Sequence, residues 1–356
     1  MKLEDFGYNN KLEKLAEENN LKDFEIGRVI SEHKERYIVA TESGDLDAEI
    51  TGNLRFSAKG REDFPAVGDW VALKIYGSDF AIIHIIFPRF SMISRQAVNQ
   101  HGEIQIIAAN IDYAFIVQAI DRDFNVNRLE RYLAICYSGK VKPVILLTKT
   151  DLISDQKLEE ILLNLKQRIE NIPVIAVSNE TQNGYEKLKQ VIEKGKTYCM
   201  LGSSGVGKST LLNNLSGRTL MKTDAISQST NRGRHITTHR ELIVLEGGGI
   251  LIDNPGMREV GITDTSDGLE ITFDKIFDLS QNCRFKDCTH TKETGCAVLE
   301  AVESGEIERS SYENYLKMEK ERAYFESTVA ERRSKDKAFG KMLKNYKKDV
   351  KRNKLK

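Results

Sequence analysis

The 356-residue chain lacks most of what would make it fibrous, exported or membrane-bound. Five prolines and 25 glycines are too few for a collagen-like or low-complexity architecture. No apolar run approaches the ~20 residues of a membrane helix. The opening MKLEDFGYNNKLEKLAEENN is polar and has no apolar stretch of the kind a secretory signal needs. Net charge is missing as well, 53 basic residues balancing 53 acidic ones. What is present is apolar matter, 40% of the residues, enough to build more than one core. A cytoplasmic, multidomain protein is expected.

The zero charge conceals an uneven distribution. Residues 331–356 carry 12 basic and three acidic side chains, so the rest of the chain is net acidic. A basic tail on an acidic body points to nucleic acid or an anionic surface. Lys344, Lys347, Lys348 and Lys351 fall at helical i, i+3, i+4, i+7 spacing, which makes one basic stripe and equally describes a solvated helix face.

Periodicity divides the chain. Residues 1–24 have a loose helical pattern (Leu12, Leu15, Ala16) that fits a solvated or docking helix. Within 25–95 the period becomes two, with strand-like stretches at 25–30, 36–41, 46–50, 70–75 and 80–87. Five short strands suit an OB-like β-barrel, although an SH3-like barrel reads the same way. From 100 to 262 buried strands alternate with amphipathic helices, the pattern of an α/β parallel sheet. After about 262 strands end, a cysteine-rich loop follows, and the sequence is helical from Ala297 through 330.

Gly202-Ser203-Ser204-Gly205-Val206-Gly207-Lys208-Ser209 fits G-x-x-x-x-G-K-[ST], between a strand-like run and the helical segment opening at Thr210. Glycines let backbone N–H groups turn toward phosphate oxygens, and a helix N-terminus adds its positive end. Lys208 would reach the β- and γ-phosphates and Ser209 would ligate Mg²⁺.

Thr148-Lys149-Thr150-Asp151 resembles the N-K-x-D guanine motif of GTPases, in which the aspartate accepts from guanine N1–H and N2–H₂; alone, it also fits a polar strand-to-helix turn. Thr148 in place of Asn removes an amide that usually ties the motif to base and phosphate loop, so weakened guanine affinity is expected. Ser178 ends the next strand where GTPases support the base from its other side. Asp253-Asn254-Pro255-Gly256 resembles the D-x-x-G switch, with Asp253 holding Mg²⁺ and the Gly256 N–H meeting the γ-phosphate. Thr237, in Gly233-Arg234-His235-Ile236-Thr237-Thr238, is the candidate first-switch ligand of Mg²⁺. The guanine motifs precede the phosphate loop and both switches follow it. That is the order of a circularly permuted GTPase.

Cys283-(x4)-Cys288-x-His290-(x5)-Cys296 gathers three of five cysteines into one short segment. Three thiolates and an imidazole form a closed tetrahedral Zn²⁺ set of the structural type. Disulfides compete, but a cytosolic compartment disfavours them. Cys136 and Cys199 read as buried small hydrophobes.

A barrel, a permuted GTPase and a Cys-Cys-His-Cys segment, in that order, resemble the ribosome small-subunit-dependent GTPase A family of bacteria. Its marks are Asn282-Cys283-Arg284-Phe285-Lys286-Asp287-Cys288-Thr289-His290-Thr291, Gly295-Cys296, the phosphate loop, Gly233-Arg234-His235 and the order itself; Val67-Gly68-Asp69 and Pro88-Arg89 are also similar. The resemblance implies a monomeric GTPase using GTP/GDP, Mg²⁺ and one Zn²⁺. It would bind the small (30S) subunit and 16S rRNA, act in late subunit maturation and hydrolyse GTP when bound. Met257 stands where many GTPases place a water-orienting glutamine, so slow intrinsic turnover is expected, with His235 or a ribosomal group positioning the water; His235 also reads as an RNA or phosphate contact. Arg55, Lys59 and Arg61 in a barrel loop, with the tail, are candidate RNA contacts. The rival readings are a zinc-stabilised RNA-binding protein with nucleotide as a structural ligand, and an ATP-using P-loop enzyme.

Overall fold

A computed structural model describes residues 1–33, 36–96, 104–121, 124–217, 241–253 and 266–326. Gly233, Arg234, His235, Thr237, Gly256, Met257 and the tail at 331–356 lie outside the described residues. No helix among the described residues is long and apolar enough to cross a membrane.

The N-terminal segment contains α1 (Asn10–Glu18), started by the Asn9 side chain accepting from the Lys11 and Leu12 N–H groups. Of the two readings of this segment, docking is the outcome: Leu3, Phe6, Leu12 and Leu21 are buried in the same core cluster as Trp70.

The barrel is built from β1 (Glu25–His33), β2 (Arg36–Thr41), β3 (Gly44–Ile50), β4 (Trp70–Tyr76) and β5 (Phe80–Ile86), with α2 (Gly52–Ser57) between β3 and β4. Its order is β1-β2-β3-β5-β4, closed by β1 pairing with β4; β3 and β5 run parallel and the other pairs antiparallel. This topology decides for the OB-like barrel over the SH3-like one. Alternation puts Val29, Val39, Leu46, Val71 and Ile83 inside.

A hairpin absent from the sequence reading follows, β6 (Met92–Gln96) on β7 (Ile104–Ala109). The α/β unit then runs β8 (Tyr113–Ala119), α3 (Val126–Ser138), β9 (Lys142–Thr148), α4 (Asp155–Arg168), β10 (Val174–Ala176), α5 (Tyr185–Gln190), β11 (Thr197–Leu201), α6 (Lys208–Ser216), β12 (Glu241–Val244) and β13 (Ile250–Asp253). Its strand order is β10-β9-β8-β11-β13-β12, parallel except for β12. Continuous apolar runs split by parity onto the two faces. Phe115, Val117, Val144 and Leu146 enter one core, Ala114, Ile116, Ile145 and Leu147 the other. Strand β1 also pairs with β12 at Ser31 and Glu241, so barrel and α/β sheet form one 11-stranded sheet.

The junction is locked by Arg28, only 1% exposed. Its guanidinium donates to the carbonyls of Phe6 (2.5 Å), Gly68 (3.1 Å) and Asn110 (3.1 Å). Burial lowers its pKa to about 10, which leaves it charged near neutrality. Gly68 has φ +96°, and a Cβ there would lie 2.1 Å from the Ala109 carbonyl oxygen, so only glycine fits this crossing.

After β13 the described chain resumes with α7 (Ser266–Thr272) and α8 (Asp274–Ser280), then the cysteine segment, α9 (Ala297–Ser304) and α10 (Arg309–Glu326). Two helices therefore precede the cysteine loop, which corrects the expectation that the second switch leads straight into it. Their amphipathic turns are too short to have stood out as periodic. Helix α7 packs on α3 so closely that a Cβ at Gly268 would be 2.1 Å from the Ala134 carbonyl oxygen.

Candidate nucleotide and zinc sites

Parallel strands end together, and β9, β10, β11 and β13 deliver Thr148, Ser178, Gly202 and Asp253 to one edge of the sheet, the usual ligand position in open α/β folds. Gly202 (φ +151°) leaves β11 with no room for a side chain, a Cβ there lying 2.3 Å from the Val117 carbonyl oxygen. Gly205 and Gly207 also have positive φ, which turns the loop back into α6. The Lys208 ammonium donates to the carbonyls of Gly202 (2.7 Å) and Ser203 (2.5 Å), folding across the loop it belongs to. Ser209 and Thr210 occupy the first turn of α6.

The guanine-type motif is bound to this loop. The buried Thr148 hydroxyl donates to the Val206 carbonyl at 2.6 Å, so Thr148 supplies the tie for which an asparagine amide was thought necessary. Lys149 adopts φ +60° and its ammonium pairs with Asp121 at 2.9 Å. The Ser178 hydroxyl donates to Asp151 at 2.6 Å and accepts from the Thr181 N–H at 3.1 Å, which fixes the carboxylate at the strand end.

A second brace escaped the sequence reading. The Asn179 amide donates to the Gly207 carbonyl at 3.1 Å, Tyr185 donates to the Asn179 side-chain oxygen at 2.7 Å, and the Asn214 amide donates to the Tyr185 hydroxyl at 2.9 Å. Burial raises the Tyr185 pKa to about 12, keeping the phenol protonated as this donor. Its sequence signals are Asn179, which follows Ser178 in the segment that resembles a guanine support, and Asn214, a polar residue among Leu211, Leu212 and Leu215. Tyr132 on α3 was missed too; burial raises the pKa of its phenol, a shift that the nearby Ser203 side chain offsets in part.

The ligand atoms of Cys283, Cys288, His290 and Cys296 all lie within 4.8 Å of one another. Cys283 Sγ is 3.8 Å from Cys296 Sγ, and His290 Nδ1 is 3.6 Å and 3.4 Å from the two sulfurs. A tetrahedron with metal–sulfur bonds of about 2.3 Å has sulfur–sulfur edges of about 3.8 Å, so the donor set fits Zn²⁺ in type and spacing. The 3.8 Å between the Cys283 and Cys296 sulfurs is far longer than the roughly 2.05 Å of a disulfide, a spacing that suits two ligands of one metal. Tyr312 on α10 donates to the His290 carbonyl at 2.6 Å, carrying the loop's position into the last described helix.

This zinc segment is docked on the α/β unit through a buried carboxylate. Glu130 on α3 accepts from Arg168 (2.7 and 2.8 Å), Ser311 (2.9 Å) and Asn314 (2.6 Å). Arg131 forms a two-pronged pair with Glu321 on α10. Helix α3 thus lies beside the phosphate loop at Tyr132 and holds α10, behind the cysteine segment, through its neighbours Glu130 and Arg131.

The sequence profile of the RsgA GTPase family matches residues 86–263. The chain is 39% identical over 345 residues to the small ribosomal subunit biogenesis GTPase RsgA 1 of Bacteroides thetaiotaomicron, covering 96% of each chain. The chain belongs to the RsgA GTPase family. A second relative, RsgA 2 of Lactiplantibacillus plantarum, is 44% identical over 299 residues, 84% of each chain. Among solved structures, YjeQ from Thermotoga maritima superposes with a TM-score of 0.61 at 27% identity, over 83% of this chain and 97% of that one. YloQ, described as a circularly permuted GTPase, gives 0.60 at 26% identity, over 86% and 97%. As an RsgA-family GTPase the chain is a GTP-hydrolysing enzyme, and the guanine-before-phosphate-loop order is its circular permutation.

Proposed function

We propose that this GTPase acts on the small (30S) ribosomal subunit, contacting 16S rRNA during late maturation in the cytoplasm, as a monomer whose turnover the subunit stimulates. The observation that carries this reading is the placement of the sheet between two appendages. The barrel is attached at β12, the strand entered from the first-switch segment, and the zinc segment at α3 and α7, the helices that follow β8 and the second-switch segment. Movement at either switch would shift one appendage against the other. A large RNA surface is the natural partner for two such arms. The relatives' names, which concern small-subunit biogenesis, support it.

In this reading 25–95 is the RNA-facing barrel, 100–262 the GTP machine, 263–330 the zinc-held lever and 331–356 an electrostatic anchor. Asp151 accepts from the guanine edge, which adenine cannot satisfy, and this favours GTP over ATP. Residues 202–210, with Lys208, hold the phosphates. Ser209, in the first turn of α6, and Asp253, at the end of β13, offer the oxygen donors a hard Mg²⁺ takes. Cys283, Cys288, His290 and Cys296 hold one Zn²⁺, whose contribution there is structural. Thr237 would complete the Mg²⁺ set, the Gly256 N–H would meet the γ-phosphate, and His235 would position water in place of the glutamine that Met257 replaces.

GTP and ATP hydrolysis, measured with and without purified small subunits, tests the reading. Strong stimulation of GTP turnover alone is expected. Turnover indifferent to subunits overturns the ribosomal assignment. Equal ATP turnover overturns the guanine one.

A further inference from the structure

Helix α2 is displayed rather than packed. Its start is capped by the Thr51 hydroxyl, which accepts from the Leu54 N–H at 3.1 Å, and none of its side chains is fully buried. Leu54 rests against the barrel core, which fixes the helix's inner face. Phe56 is 92% exposed, more than any other large hydrophobic side chain among the described residues. A lone exposed apolar residue is ordinary. This one has specific company: residues 52–61 contain Arg55, Lys59 and Arg61 and no acidic residue.

The segment is also held firmly. The Asp63 carboxylate accepts from the Lys59 N–H at 2.7 Å. Arg89, clamped on the buried Asp69 at 2.6 Å, donates to the carbonyls of Glu62 (2.6 Å) and Phe64 (2.7 Å). The backbone that follows the ring is therefore anchored, and α2 itself is held by its Thr51 cap and Leu54.

A water-exposed phenyl ring among cations matches the two needs of unpaired nucleic acid, a π-face for the base and positive charge for the flanking phosphates. Three cations within ten residues favour an anionic partner over a purely apolar groove. We propose that Phe56 stacks on an unpaired RNA base, with Arg55, Lys59 and Arg61 against the adjoining phosphates. This rests on the ribosomal RNA reading above and adds which form of RNA the barrel takes: a single-stranded or flipped-out nucleotide rather than duplex.

The test uses the full-length protein, titrated with purified small subunits and separately with oligouridylate over a range of salt. Phe56→Ala should weaken both affinities about tenfold and leave the slope of log K against log salt unchanged, because stacking releases no counterions. Lys59→Ala should reduce that slope by about one. Phe56→Trp should bind at least as well as the wild type, while Phe56→Leu should not. Subunit-independent GTP turnover should be the same in all four variants. Full affinity in Phe56→Ala or in Phe56→Leu overturns the stacking role. So does loss of subunit binding with oligouridylate affinity intact, which would assign Phe56 to a protein surface. Wild-type protein that binds neither RNA nor subunits overturns the ribosomal reading itself; a wild type that binds beside an equally tight Phe56→Ala overturns only the role of Phe56.

Discussion

The Thr148 hydroxyl donates a 2.6 Å hydrogen bond to the Val206 carbonyl, joining the end of β9 to the phosphate loop. Both groups lie out of water, Thr148 being 0% and Val206 5% exposed. The bond therefore sets the distance between the proposed base-reading strand end and the proposed phosphate-holding loop. A hydroxyl is shorter than an asparagine amide but reaches because the loop comes close to the strand.

Replacing Thr148 with Val keeps its shape and orphans the Val206 carbonyl. An unpaired buried acceptor costs about 1–3 kcal/mol. GTP affinity, measured by fluorescent-nucleotide titration, should fall roughly tenfold, while Thr148→Ser stays near the wild type.

Asp151→Asn should reverse base preference. In the proposed site the carboxylate accepts from two guanine donors, whereas an amide offers a donor suited to the 2-carbonyl of xanthine. GTP affinity should drop at least about a hundredfold, with xanthosine triphosphate gaining. Competition binding of the two nucleotides measures it.

Metal analysis of the purified protein should give one zinc per chain. Chelation or Cys288→Ser should loosen the loop, and with it the Tyr312–His290 contact that steadies α10. Limited proteolysis should then cut within 283–326 while the α/β unit stays resistant. The melting transition should also split or move down.

Arg168→Ala strips the buried Glu130 of its charge partner, two of the four hydrogen bonds it accepts. An uncompensated buried charge costs about 3–5 kcal/mol. Lys157→Ala breaks only the exposed pair with Glu160 and should cost well under 1 kcal/mol. Chemical denaturation of the two variants gives the contrast directly.

Legibility followed the range of the interaction. Strands 36–41 and 70–76 and the helix of 126–138 are nearly as their periodicity predicts, because alternation and amphipathicity are local signals. The β6–β7 hairpin was not legible, since Met92–Gln96 is a short, polar stretch that becomes a strand only on meeting β7. Helices α7 and α8 were hidden for the same reason, seven residues each with little amphipathic repeat. Glu130 carries no local signal of burial, because Arg168 and Asn314, which enclose it, lie far along the chain.

By itself the sequence determined the chemistry: a glycine pattern that only a phosphate loop needs, three thiols and an imidazole at metal spacing, and an order of motifs that only a permuted GTPase gives. These depend on residue type and short spacing, which the chain carries locally. Tertiary structure decided how the pieces are coupled. That the Thr148 hydroxyl reaches Val206, that Glu130 and Arg131 grip α10, and that β1 extends the GTPase sheet through Ser31 and Glu241 are all long-range pairings. They arise from strand order and helix packing, which no local pattern encodes.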